Sequence, residues 1–286
     1  MFKTDFFDLH CDTPFECFTK SQKFYVNRLA VSGKKGETFN NWCQTFAFWI
    51  RDDLASPFEK YKETYADFAL KLAEKPRNLT PYFAVEGGAL LENDADRIFK
   101  LKSDGIIFLT LTWNGENNLA GGVKSDKTLT DFGKKAIKNL NRCKIGCDLS
   151  HLNQKSFFKA AEISDFPLAT HSNCRSLCDN PRNLSDEQIK ILHQKGGIMG
   201  LCFYPEFLGD DVFESIYRNI FYLCEKGYED IIAIGSDFDG ARMSPKLDNI
   251  SKVKDLYSFL EGKGFKSELL HSIFYLNAYN FVAKLC

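Results

Sequence analysis

No run of about 18 apolar residues occurs anywhere in this 286-residue chain, so no segment has the length and polarity of a membrane-spanning helix. The opening stretch, Met1-Phe2-Lys3-Thr4-Asp5-Phe6-Phe7-Asp8, lacks the apolar core of a signal peptide, and a cytoplasmic location is expected. An excess of one charge is also missing. Lys and Arg number 37 against 38 Asp and Glu, without a basic stripe, which argues against nucleic acid or an anionic membrane as partner and favours a small neutral or zwitterionic one. Ten cysteines are present, yet there is no CxxC pair. Cys147, Cys202 and Cys224 sit in apolar runs, where free cysteine behaves as a small buried hydrophobe. The pairs Cys143/Cys147 and Cys174/Cys178 straddle element boundaries, so a structural zinc site is not expected there. Linkers, low-complexity tracts and internal repeats are absent too, which leaves one domain over residues 1–286.

What is present is a recurring alternation. Short β-rich runs bounded by turn residues occur at 6–10, 45–50, 82–86, 106–112, 145–150, 168–171, 198–204 and 231–237. Helix-patterned stretches lie between most of them, at 57–74, 131–140, 156–163, 186–195 and 212–226, and a tail over 251–285 reads as one or two closing helices. Ser185 with Gln188 predicts a capping box, Leu184 and Ile189 the staple around it, and Gly196-Gly197 the end of that helix. Eight strand and helix units in series predict an α/β fold, a (β/α)8 barrel of TIM type.

The ionisable residues fall at the carboxyl ends of the predicted strands, the face on which such barrels carry their sites. The first strand ends in His10-Cys11-Asp12, whose i and i+2 side chains point the same way in extended chain. The third ends at Glu86, the fifth runs into Asp148-Leu149-Ser150-His151, the sixth into Thr170-His171, and the eighth into Asp237-Phe238-Asp239-Gly240. Three of the five histidines lie at such ends with acidic partners, a nitrogen and oxygen set that suits zinc, with manganese or iron as other options. His193 and His271 fall in helix patterns and read as surface or structural residues. Asp239 reads as a loop carboxylate that orients its turn.

On these residues the chain resembles the membrane (renal) dipeptidase family of metallopeptidases from His10 to about Asn280. The carrying motifs are Phe7-Asp8-Leu9-His10-Cys11-Asp12-Thr13-Pro14, Ala84-Val85-Glu86-Gly87-Gly88, Leu109-Thr110-Leu111-Thr112-Trp113-Asn114, Asp148-Leu149-Ser150-His151, Thr170-His171-Ser172-Asn173, Pro181-Arg182-Asn183 and Gly235-Ser236-Asp237-Phe238-Asp239-Gly240. The resemblance implies a distorted barrel with two zinc ions per chain, one on His10 and Asp12, the other on His151 and His171, with Glu86 bridging. It further implies Asp237 as general acid/base, Arg182 on the substrate carboxylate and Tyr204 in the pocket wall. It also implies a possible homodimer. The chain departs from the eukaryotic pattern at Trp113, where the family has a substrate-polarising histidine. Trp113 and Asn114 are therefore expected to offer an aromatic wall and polar contacts instead. Secretory and lipid-anchor segments of the eukaryotic members have no counterpart, so membrane attachment is not expected.

The chemistry expected of such a centre is hydrolysis of a dipeptide by a hydroxide generated between two zinc ions, which lower the pKa of bound water from 15.7 to roughly 7. A bidentate pair between Arg182 and the terminal carboxylate would favour dipeptides over longer chains. Two other readings remain open. One is cyclic amide, lactone or deaminase chemistry on the same scaffold, which usually carries a bridging lysine that no predicted strand end offers. The other is a barrel that binds metal or peptide without turnover.

Overall fold

The computed structural model describes residues 4–209 and 211–285, and its eight parallel strands close on themselves in sequence order. They are β1 (Phe6–Cys11), β2 (Trp42–Trp49), β3 (Leu79–Glu86), β4 (Ile106–Thr110), β5 (Gly146–Asp148), β6 (Pro167–Ala169), β7 (Ile198–Leu201) and β8 (Ile232–Ile234). The (β/α)8 barrel expected from the alternation is the observed fold. β8 returns to β1 with Asp8 opposite Ile234. The seam is tied by the buried Asp8 carboxylate, whose Oδ1 accepts Ser236 N–H at 2.8 Å and whose Oδ2 accepts Ser236 Oγ–H at 2.6 Å and Gln44 Nε2–H at 2.9 Å.

The alternation of side chains sorts the strands into two faces. Phe7, Leu9, Ala47, Ala84, Phe108, Leu168, Ile198 and Ala233 form one cluster drawn from seven strands and packed on Phe281 and Val282 of the last helix. A cluster shared by so many strands of a closed ring is the filling of the barrel. The opposite face packs outward, as where Phe46 and Phe48 meet Phe68 and Tyr61 of the helix Pro57–Lys71. The capping box at Ser185 is present, with Gln188 N–H donating to Ser185 Oγ at 3.3 Å and Ser185 N–H to Gln188 Oε1 at 2.8 Å.

The later strands are shorter than their apolar runs predict. β5 to β8 stop at Asp148, Ala169, Leu201 and Ile234, so His151, His171, Tyr204 and Asp237 lie in loops beyond them. His151 and Asp237 have φ of 71° and 62°, left-handed values that an extended strand cannot contain. Sequence patterning also missed the helix Arg97–Ser103 and the π turn Ser272–Leu276 inside the C-terminal helical segment.

Candidate metal centre

Glu86 ends β3 on the same face as Ala84 of the barrel filling, which turns its carboxylate into the barrel mouth. Its two oxygens meet different partners. Oε1 lies 2.6 Å from His151 Nε2 and 3.5 Å from His171 Nε2, while Oε2 lies 3.8 Å from His10 Nε2. His10 Nε2 also stands 3.3 Å from Asp12 Oδ2 and 4.0 Å from Asp237 Oδ1. His10 reaches this place because the pairing of β1 with β2 shifts register between Asp8 and Cys11, which breaks the alternation that would turn it away from Leu9. Asp12 lies just past the strand as the N-cap residue of the helix Thr13–Thr19, still beside His10.

The outer ring nitrogens are held from behind. His151 Nδ1 lies 2.9 Å from Asn114 Oδ1, an acceptor, so that nitrogen carries the proton. His171 Nδ1 lies 2.8 Å from Thr170 Oγ1, whose own hydrogen goes to Asp148 Oδ2 at 2.7 Å. Asp148 is filled by donors: Thr110 Oγ–H at 2.5 Å on Oδ2, and the N–H groups of Ser150 and Thr170 at 3.0 Å on Oδ1. Thr170 Oγ1 can then only accept from His171, and both rings keep their Nε2 lone pairs.

Those two Nε2 atoms face each other at 2.8 Å, with Glu86 Oε1 beside both. Three acceptors converge with no proton assigned to any of them, an arrangement that a cation relieves. On the other side His10 Nε2 and Asp12 Oδ1 are buried without a hydrogen-bond partner. Burial, with the positive Arg182 added, pushes His151 down to about 4, and burial with the neighbouring His10 pushes His171 down as well, which keeps both imidazoles neutral. Burial opposes protonation of His10 too, but Asp12, Glu86 and Asp237 outweigh it and lift His10 to about 10. Asp237 is raised well above the usual carboxylate range by burial and by the nearby Asp12. Carboxylates crowded around too few cations, with imidazole nitrogens among them, fit divalent metal. Among the described residues the groups able to grip an ion are His10, Glu86 and His171, and His10, Asp12 and Asp237, both in this mouth.

The mouth opens into a cavity of about 440 Å³ lined by donors of this cluster and by Arg182, Tyr204, Trp113 and Asn114. Arg182 is buried, lies 5.3 Å above the Phe207 ring, donates to His171 O at 3.4 Å and leaves its Nε–H without a partner. Tyr204 meets Phe207 edge to face at 4.9 Å. Asn114 lines the cavity with its amide oxygen 2.9 Å from His151 Nδ1. Asp239 holds its turn, accepting from Thr13 Oγ1–H at 2.7 Å and from the N–H groups of Ala30 and Val31 at 2.6 and 3.3 Å. His193 and His271 stay outside, each 3.4 Å from a carboxylate, Asp230 and Asp5 respectively. The nine cysteines among the described residues are all free. Sequence reasoning missed the parts of Asp148 and Thr170, which sat within quoted motifs, and of Cys202, whose thiol lies 3.8 Å from Asp237 Oδ2.

Residues 59–284 match the membrane dipeptidase family, peptidase family M19, a segment that holds Glu86, His151, His171, Arg182 and Asp237 and begins after His10 and Asp12. A Klebsiella pneumoniae protein encoded in the pqqA 5′ region is 31% identical over 209 residues, 68% of this chain and 77% of that one. An uncharacterized dipeptidase of Schizosaccharomyces pombe is 26% identical over 226 residues, 74% of this chain, and the match spans about half (54%) of its length. Among solved structures, the metallopeptidase dipeptidase AC of family M19 superposes with a TM-score of 0.90 at 21% identity over 99% of both chains. A Rhodobacter sphaeroides metallopeptidase bound to a phosphinate mimic of L-Ala-D-Ala superposes at 0.84 with 20% identity over 100% of both.

Proposed function

The chain belongs to the membrane dipeptidase family of metallopeptidases, and from that premise we propose that it hydrolyses dipeptides at a centre of two divalent metal ions, zinc or manganese. The observation that carries the reading is the split of the Glu86 carboxylate, one oxygen toward His151 and His171 and the other toward His10. Glu86 would bridge the two ions, with His10 and Asp12 holding one and His151 and His171 the other. Ions bound there would supply an activated water at neutral pH and polarise the scissile carbonyl.

The chain's own residues do the rest. Asp237, facing His10 Nε2 at 4.0 Å, takes the proton of the attacking water and returns it to the leaving amine. Arg182 presents an unpaired Nε–H beside the cluster, a buried fork suited to the planar carboxylate at the end of a dipeptide. Tyr204 and Phe207 wall that end. Among the described residues no lysine lines the cavity, where cyclic amide or lactone chemistry on this scaffold would call for a bridging one. The test is turnover of L-Xaa-L-Xaa and L-Xaa-D-Xaa dipeptides by purified protein, with metal analysis. Metal-dependent cleavage of either series supports the reading. Two bound equivalents of metal with no cleavage of any dipeptide contradicts it.

A further inference from the structure

One wall of the cavity has no part in the chemistry above. Trp49 ends β2 on the face that carries Cys43 and Ala47 of the barrel filling, and so looks into the cavity. Phe15, on the helix Thr13–Thr19, meets it edge to face at 4.9 Å and 87°. Trp49 in turn meets Trp113 at 5.3 Å and 68°, and Trp113 lies 6.4 Å from the His151 ring. Three rings, one at the end of β2 and two from the segments that follow β1 and β4, thus make a continuous apolar surface that runs to the donor cluster. Each is only half-buried despite these contacts, and all three line the cavity.

The position of this wall decides what it meets. In the closed ring β2 stands opposite β6, whose following loop carries Arg182. A dipeptide with its carboxylate on Arg182 and its scissile carbonyl at Glu86 sends its N-terminal residue away from Arg182, toward the tryptophans. Glu16, an acidic residue of the same cavity, is paired with Lys20, and the three ring faces give the wall its apolar area. An aromatic or large aliphatic side chain covers those rings, and glycine leaves them wet.

We propose that Phe15, Trp49 and Trp113 form a side-chain subsite selecting bulky apolar, above all aromatic, residues at the N-terminal position of the dipeptide. The subsite rests on the dipeptidase reading and adds its substrate class. Trp113, the residue that departs from the eukaryotic pattern, is here a specificity determinant.

The experiment compares kcat/KM for Gly-Ala, Leu-Ala and Phe-Ala on the metal-loaded full chain, then repeats it on Trp49→Ala, Trp113→Ala and Trp113→His. Phe-Ala is expected to exceed Gly-Ala by at least tenfold, on the order of what an apolar pocket discriminates. The variants lose most of that ratio, while the ratio between Ala-Phe and Ala-Gly, which varies the C-terminal residue, moves little. A wild-type ratio near one, or a ratio the variants leave intact, overturns the subsite and leaves dipeptide hydrolysis standing. Should Trp49→Ala fail to fold, the wild-type ratio and Trp113→His decide. Failure to cleave any dipeptide overturns the dipeptidase reading itself, and the subsite with it.

Discussion

Thr170 Oγ1 lies 2.8 Å from His171 Nδ1 and passes its own hydrogen to Asp148 Oδ2 at 2.7 Å, so a buried carboxylate fixes the tautomer of an imidazole it never touches. Supporting hydrogen bonds of this kind orient a metal-ligating histidine and typically change affinity by about 10- to 100-fold. Thr170→Val keeps the shape and removes the hydroxyl. It should weaken metal binding by a factor in that range, measured by competition with a chelator, while Thr170→Ser restores it. Equal affinities for the Val and Ser variants would show that the hydroxyl plays no part.

Arg182 gives a second expectation. Arg182→Lys keeps a positive charge but loses the planar fork, so KM for dipeptides should rise by roughly tenfold to a hundredfold, the equivalent of one or two charge-assisted hydrogen bonds. A dipeptide amide, which has no terminal carboxylate, should be a poor substrate for the wild type and discriminate less between the two forms. Unchanged KM in the Lys variant would remove Arg182 from substrate binding.

Asp237 separates chemistry from metal binding. Asp237→Asn should retain its metal and lose about 10² to 10⁴ in kcat, as expected for removal of a general acid/base. Single-turnover rates with metal analysis on the same sample measure both. Loss of metal together with rate would make Asp237 a ligand in place of a proton carrier.

Gly235 supplies a structural prediction. A Cβ there would fall 1.6 Å from Thr170 O, a backbone atom that cannot step aside without moving the residue behind His171. Gly235→Ala should destabilise the fold by about 1 to 3 kcal/mol or more, in the range of overpacking, and weaken metal binding as well. Thermal unfolding and chelator competition report the two effects, and wild-type values for both would show that the contact relaxes freely.

The barrel was legible because its signal is repeated: eight apolar runs alternate with helix patterns, and each unit supports the others. The ends of those runs were less so. Apolar residues such as Leu149, Cys202 and Phe203 continue past the ends of β5 and β7 and stay buried there, and only φ values such as that of His151 reveal where extension stops. Residues with titratable side chains at strand ends stood out in the sequence, and the structure gathers His10, Asp12, Glu86, His151, His171 and Asp237 in one mouth. Thr170 and Asp148 did not stand out, because a hydroxyl and a carboxylate acquire their roles only from neighbours on other strands. Trp49 was hidden for a similar reason: it ends a strand rich in aromatic residues, and the sequence alone does not show that its inward face opens onto a cavity.

The most direct test of the two-ion centre is the metal content of Glu86→Ala against wild type, read on the same preparations as dipeptide turnover. Two equivalents of divalent metal are expected per wild-type chain, fewer than two in the variant, and loss of hydrolysis with them. A variant that keeps two equivalents and full activity would contradict the bridging role of Glu86 and with it the centre built around that residue.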